Sequence, residues 1–364
     1  MEEGRMKKCK GCGARLQTDD PSKPGYVPPS VLEKRGEKNV LCQRCFRLKH
    51  YGEDLSIGPL KDALSRLKRL LKRYDRVLWI VDAMDFEATY TDEVSHLLEG
   101  KKVLVAVNKI DAFPRAITNQ ELSQWFTKHV HHKWIPVSAE KKRGIKKLLN
   151  HPLLKGELLV VGCTNVGKSS LLSALSGKPL SVSSYPGTTR GTLHIRISKS
   201  LELIDTPGIP TDNRFIDILD PSCVMKLGMS RSLTRKTFKI SAGRVVFAGG
   251  MCRIDVLGEH PRPIFQIFTA PGVTLHETSV LNADAKFETW FGEFLQPPCG
   301  KIPPENFRWR FEEVLLNEGE ELVVFGLGWI SVRRGPLKIK VTLPEKVELR
   351  VREALVNPER SHGK

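Results

Sequence analysis

Leu158-Leu-Val-Val161 runs straight into Gly162-Cys-Thr-Asn-Val-Gly167-Lys168-Ser169, and this stretch settles the architecture of the central part of the chain. The apolar run is a buried strand, and the loop after it has glycine, lysine and a hydroxyl at the spacing GxxxxGK[ST]. Glycines let successive backbone N–H groups wrap a phosphate chain, Lys168 neutralises its outer oxygens, and Ser169 offers a hydroxyl to Mg²⁺. Ser170–Leu175 then reads as a helix, so strand, phosphate loop and helix come in the order such a site needs.

On the C-terminal side, Leu203-Ile-Asp205-Thr-Pro-Gly208 places a carboxylate at a strand end for the metal shell and a glycine whose N–H can meet the γ-phosphate. Between the two, Pro186-Gly187-Thr188-Thr189-Arg190 offers Thr189 as a second hydroxyl for Mg²⁺. The expected reacting-phosphate set is therefore Lys168, Thr189, Asp205 and Gly208. Upstream, Asn108-Lys109-Ile110-Asp111 comes after the run Val103–Val107. A carboxylate there accepts the N1–H and 2-amino protons of guanine, a donor pair adenine lacks, so GTP and GDP are the expected nucleotides. Ser138-Ala139, after Trp134–Val137, presents a backbone N–H for the guanine oxygen. The nucleotide-binding set becomes Asn108, Lys109, Asp111, Ser138, Ala139, Asn165, Val166, Gly167, Lys168, Ser169 and Ser170.

Strand-like runs at Val77–Val81, Val103–Val107, Trp134–Val137, Leu158–Val161, Ile195–Ile197 and Leu201–Ile204 alternate with helical stretches. That is the pattern of an α/β domain, a mostly parallel sheet with helices on its faces and functional loops at the carboxyl ends of its strands. In an ordinary small GTPase the phosphate loop comes first and the base-reading motifs last. Here Asn108–Asp111 and Ser138-Ala139 precede Gly162–Ser169, so the domain reads as circularly permuted. Its new ends fall after Gly208, which attaches everything downstream to the element that senses the γ-phosphate.

Two further blocks flank this domain, giving an expected division at 1–54, 55–215 and 216–364. In the first, Cys9-Lys-Gly-Cys12 and Cys42-Gln-Arg-Cys45 are paired CxxC knuckles, the spacing of a closed four-thiolate structural Zn²⁺ site. The Pro- and Gly-rich segment between them is too loop-rich to bury a core, so the metal would supply folding energy. In the last block, short runs at Arg244–Phe247, Cys252–Val256, Ile264–Phe268, Glu321–Phe325, Trp329–Val332 and Leu337–Val341, after a helix near Asp220–Leu227, predict a β-rich α+β domain. Arg308, Arg310, Arg333, Arg334, Lys338 and Lys340 alternate there with Trp309, Phe311 and Trp329. That pattern suits RNA stacking and neutralisation, and equally any half-buried strand. Cys163, Cys223, Cys252 and Cys299 have no ligand spacing and read as packing residues.

The chain has 364 residues with 58 Lys+Arg against 41 Asp+Glu, a net charge of +17 that favours a polyanionic partner. The excess gathers at Lys61–Arg73 and Lys141–Lys147, as solvated faces or as a polyanion footprint. No apolar run reaches membrane-spanning length, and the charged first ten residues lack a signal-peptide core. The expectation is a cytoplasmic protein in a reducing compartment, with no membrane partner.

With these residues in view, the chain resembles the circularly permuted GTPases of the YqeH type, bacterial ribosome-assembly factors. The resemblance runs over the N-terminal knuckles, the permuted motif order and the long C-terminal extension. It implies GTP hydrolysis coupled to maturation of the small ribosomal subunit or its rRNA, by a monomer. Ras-like enzymes carry a water-orienting Gln after the DxxG glycine, where this chain has Ile209, so intrinsic hydrolysis should be slow. In related GTPases with an apolar group at that position, the residue matching Asn165 helps hold K⁺ against the phosphates, which implies potassium stimulation here. A loop-shaping role for Asn165 alone remains the alternative. Two other functions stay open: an RNA-chaperone module in which GTP is structural, and a zinc-ribbon transcription regulator preferring duplex DNA.

Overall fold

The structure is a computed structural model and describes residues 16–19, 25–27, 42, 60–114, 117–177, 193–228, 232–258, 262–300 and 302–355. The chain forms two compact units, both discontinuous in sequence: 1–81 with 92–108 and 132–210, and 82–91 with 109–131 and 211–364.

The first unit is built on β1 (Arg76–Asp82), β2 (Lys102–Asn108), β3 (Lys133–Pro136), β4 (Gly156–Val161), β5 (Leu193–Ser198) and β6 (Leu201–Asp205). They form one sheet in the order β3-β2-β1-β4-β6-β5, parallel in the pairs β1–β4, β2–β3 and β4–β6, with β5 antiparallel to β6. Val77 through Val81 and Val103 through Val107 are buried at every position. This is why these strands read as unbroken apolar runs: a parallel sheet covered on both faces has no polar side to show. β4 lies between β1 and β6, so the strand feeding the phosphate loop is flanked by the first and the last of the sheet's strands in chain order. The break in connectivity falls between β6 and β1, as the permuted motif order predicts.

The second unit carries β7 (Thr234–Lys239), β8 (Arg244–Ala248), β9 (Arg253–Val256), β10 (Ile264–Thr269), β11 (Leu275–Ser279), β12 (Trp309–Leu316), β13 (Glu320–Val324), β14 (Gly328–Arg334), β15 (Leu337–Pro344) and β16 (Leu349–Glu353). They make two five-stranded sheets, β16-β13-β14-β10-β7 and β11-β8-β9-β15-β12. The pairings are antiparallel throughout. Phe265, Ile330 and Val332 of one sheet share a core with Val246, Ile254, Ile339 and Val341 of the other, the interior of a sandwich. Helix Val280–Trp290 covers part of the second sheet's outer face, where Ala283 packs with Val245, Phe247 and Leu295.

A buried charge cluster ties the early segments of this unit to its sandwich. Arg352 donates to both oxygens of Glu87 at 2.8 and 2.9 Å and to Glu321 at 3.0 and 2.9 Å. Its guanidinium lies 5.0 Å from the Trp125 ring and 5.2 Å from that of Trp329, so flat aromatic faces replace the water it gave up. Burial still pushes the Glu321 carboxyl up, with Arg352 opposing.

Two of the cysteines read as packing residues are covalently joined: Cys223, on helix Pro221–Leu227, forms a disulfide with Cys299. The pairing corrects the sequence reading of these two residues. Seventy-six positions separate the partners, so no spacing motif announces them. Cys163 and Cys252 are buried and outside any disulfide, as expected of packing residues, and burial pushes the Cys252 thiol up to about 12. Among the described residues no helix is long and apolar enough to cross a membrane.

Candidate nucleotide site

All the sequence motifs of the first unit leave the carboxyl ends of its strands, where open parallel sheets bind ligands. Asn108 ends β2 and is buried. Its side chain does two jobs at once: Nδ2 donates to the carbonyl of Val166 in the phosphate loop at 2.9 Å, and Oδ1 accepts the Ala139 N–H at 3.1 Å. One amide therefore holds the loop after β4 and the Ser138-Ala139 turn in register. That turn is itself closed by reciprocal backbone bonds between Ser138 and Arg143, both 3.0 Å, and by the Ser138 hydroxyl accepting the Lys141 N–H at 2.9 Å.

The phosphate loop owes its shape to close backbone approach. A Cβ on Gly162 would stand 2.5 Å from the Ile80 carbonyl, so only glycine lets the loop leave β4 alongside β1. Gly167 then turns in the left-handed region at φ 88° into helix Lys168–Ser176. Val166 is buried beneath the loop, while Asn165, Ser169 and Ser170 are exposed around it. The first-turn N–H groups of this helix, with its dipole, provide the phosphate cradle. Lys168 Nζ donates to the Gly162 carbonyl at 3.3 Å, within the loop whose phosphates it would neutralise.

Asp205 ends β6, and the residues after it are strapped to the phosphate loop. Thr206 Oγ1 donates to the Val160 carbonyl at 2.7 Å, Ile209 N–H to Gly162 at 3.1 Å, and Thr164 N–H to Ile209 at 2.9 Å. A Cβ on Gly208 would lie 3.1 Å from Lys168 Nζ, so glycine here keeps a side chain out of the space where the lysine works. Ile209 is 4% exposed, so the position of the water-orienting glutamine is occupied by a buried apolar group. An apolar side chain at this position cannot orient an attacking water.

Lys109 and Asp111 belong to the segment that opens the second unit's second stretch. Lys109, at φ 66°, reaches the Asp82 carboxylate at 2.6 Å, and Asp111 sits on the turn Ile110–Ala112. Asp82 is the partner that sequence reading misses; its only signal is an acidic residue closing an apolar strand. Ser169 and Asp205 supply the hard oxygens Mg²⁺ prefers and fit it, and the bound ion would neutralise charge on the β- and γ-phosphate oxygens. Thr189 and Arg190 lie outside the described residues. So do Cys9, Cys12 and Cys45 of the zinc reading; Cys42 is buried.

The aromatic–basic alternation of the second unit is mostly structural. Trp329 and Arg333 are buried, Arg333 donating to Gln266 at 3.0 Å, and the Trp309 indole donates to the Pro304 carbonyl at 3.0 Å. Phe311 is 68% exposed, with Lys340 Nζ 5.4 Å from its ring centre.

Two family models match the chain: "50S ribosome-binding GTPase" over residues 157–239 and "YqeH-like, C-terminal" over residues 262–355. YqeH of Bacillus subtilis is 31% identical over 367 residues, which take in 96% of this chain and 99% of that protein. The chain belongs to the YqeH family of circularly permuted GTPases. NO-associated protein 1 of Arabidopsis thaliana, a chloroplastic/mitochondrial protein by name, is 24% identical over 95% of this chain and 76% of its own length. Among solved structures, YlqF of T. maritima with bound GNP is similar at 26% identity and a TM-score of 0.32, covering 46% of this chain and 66% of that one.

Proposed function

We propose that this GTPase is a switch in assembly of the small ribosomal subunit, binding rRNA or a precursor particle in one nucleotide state and releasing it after hydrolysis. One observation carries the reading. Ile209, directly after the γ-phosphate-sensing glycine, is hydrogen-bonded in both directions to the phosphate loop. Two residues later the chain enters the β-rich unit, so a displaced DxxG segment pulls on that unit through the backbone itself. The net charge of +17 supports a polyanionic partner. In this reading Lys168, Thr189, Asp205 and Gly208 act at the reacting phosphate. Cys9, Cys12, Cys42 and Cys45 hold a structural Zn²⁺, Asn165 helps hold K⁺, and the working divisions are 1–54, 55–215 and 216–364 of a monomeric, cytoplasmic protein.

The test is co-sedimentation of the full chain with purified small and large ribosomal subunits under GDP, GTP and a non-hydrolysable analogue. Pelleting with small subunits in one nucleotide state only is expected. Nucleotide-independent pelleting removes the switch, and pelleting with large subunits alone, the particle named in one matching family's description, moves the site of action. The buried Ile209 favours a second reading, in which GTP only stabilises an RNA-binding conformation. Turnover that small subunits fail to accelerate would select it.

A further inference from the structure

Both ends of the guanine-reading turn are fastened within the β-rich unit, a feature that the spacing of the motif does not announce. At its start, Lys109 Nζ donates to Asp82 Oδ2 at 2.6 Å, and the Asp82 side chain is 7% exposed. The carboxylate is itself held, because Oδ1 accepts the Met84 N–H at 3.0 Å. The backbone of Asp82 is pinned as well: its N–H donates to the Thr89 hydroxyl at 3.0 Å, and that hydroxyl donates to the Asp85 carbonyl at 2.9 Å. Asp82 thus presents one fixed oxygen to a long, flexible side chain. A pair of this kind removes much of the lysine's rotamer freedom before any ligand arrives.

The short segment that carries Asp82 is locked into the sandwich. Asp85 accepts the Gly326 N–H, from the turn between β13 and β14, at 2.9 Å, and Glu87 receives Arg352 of β16. The far end of the guanine turn is tied to the same body. The Ala112 carbonyl accepts the Leu233 N–H at 2.7 Å, just ahead of β7, and the buried Phe113 ring stands 6.0 Å from the ring of Trp329 on β14. Asp111, the carboxylate expected to read the base, sits between these anchors on the turn Ile110–Ala112. The division of the chain agrees, since 82–91 and 109–131 cluster with 211–364. A turn fixed at both ends presents its side chains preorganised, and binding then costs less ordering entropy.

We propose that the β-rich unit sets the affinity for the guanine base, with Asp82 as a positioning residue that acts through Lys109 and Phe113 as the anchor of the turn's far end. The proposal rests on the reading of Asn108–Asp111 as the base motif and extends it to residues outside that motif. A ligand that displaces the Gly326 turn or the Leu233 segment displaces Lys109 or Asp111 with it. Guanine-nucleotide affinity and occupancy of the β-rich unit are then linked in both directions.

The test is calorimetric titration of the full-length protein with GDP, on wild type, Asp82→Asn, Lys109→Met, the double variant of these two, and Phe113→Leu. Asparagine at position 82 keeps the size and the acceptor for Met84 but loses the charge that holds Lys109, so the GDP dissociation constant should rise by about tenfold. Lys109→Met should weaken binding at least as much. The double variant should bind no more weakly than Lys109→Met, because Asp82 then has nothing to act through. Phe113→Leu should weaken binding several-fold. The fitted stoichiometry separates loss of folded protein from loss of affinity. Losses that multiply in the double variant give Asp82 an independent structural role and overturn its assignment, as does wild-type affinity in Asp82→Asn. Wild-type affinity in Phe113→Leu removes the far anchor and, with it, control of the turn by the β-rich unit. Wild-type affinity in Lys109→Met instead overturns the base-motif reading on which the proposal stands.

Discussion

Asn108 and Val166 are 58 positions apart in the chain and meet at 2.9 Å, side-chain nitrogen to loop carbonyl. Because the same amide also accepts the Ala139 N–H, its removal orphans two backbone groups of the nucleotide site. Such groups cost about 1–3 kcal/mol each when buried. Asn108→Ala should therefore weaken GDP binding by at least tenfold in calorimetric titrations. Asn108→Asp keeps the acceptor and loses the donor, so its affinity should fall between the two. An alanine variant that binds GDP like wild type would mean that the phosphate loop is positioned by other contacts.

The proposed potassium stimulation is tested at Asn165, whose backbone lies in the left-handed region at φ 64°. Alanine there would confound lost coordination with backbone strain, whereas glycine accepts that conformation freely. Asn165→Gly therefore removes the amide alone. Wild-type GTP turnover is expected to be several-fold faster in KCl than in NaCl, and the glycine variant equally slow in both. A variant that retains the preference for potassium assigns Asn165 to loop shape only.

The sheet of the first unit is legible in the sequence because its strands are buried on both faces, which writes them as continuous apolar runs such as Val77–Val81 and Val103–Val107. The candidate site stands out in the sequence because phosphate and guanine recognition need fixed residue types at short spacing. Legibility fails where partners are chosen by the fold. β7, with its sequence Thr-Arg-Lys-Thr-Phe-Lys, buries only Phe238 and resembles a polar loop. Helix Val280–Trp290 buries only Ala283, too narrow a stripe to display a helical period. Trp329 and Arg333 resemble surface readers of RNA because their strand alternates, yet both faces of that strand are covered, the polar one by groups such as Arg352 and Gln266. The Asp82 to Lys109 pair joins two strand ends that no local pattern relates.

The disulfide between Cys223 and Cys299 closes a long loop within the second unit. Loop-closure entropy for a ring of that size amounts to about 4 kcal/mol of constraint on the unfolded chain. Reductant should thus lower the thermal midpoint of the oxidised wild type by several degrees. Cys223→Ser should start from the lower midpoint and not respond. Peptide mapping under non-reducing conditions checks the bond directly: recovery of both cysteines as free thiols from air-exposed protein would contradict the pairing.

Asp85 gives the second unit a stability that depends on pH. Burial pushes its carboxyl from 3.8 up to about 6, Arg214 pulls it back, and Asp82 and Asp217 push it further up. The Gly326 N–H donates to Oδ1 at 2.9 Å, and Arg214 Nη1 stands 3.5 Å from Oδ2 while its Nη2 pairs with Asp217 at 2.9 Å. A raised carboxyl binds its proton more tightly in the folded state, so its contribution is fully present below the unfolded value and is lost as pH rises through about 6. A shift of this size is worth roughly 3 kcal/mol between the two limits. Asp85→Asn keeps the acceptor for Gly326 and cannot ionise. The stability of wild type relative to this variant, from urea unfolding, should therefore decline between about pH 4 and pH 6.5 and level off above. A difference that stays constant across that range would mean that Arg214 holds Asp85 ionised throughout, in which case the buried pair acts as a fixed structural contact and does not titrate.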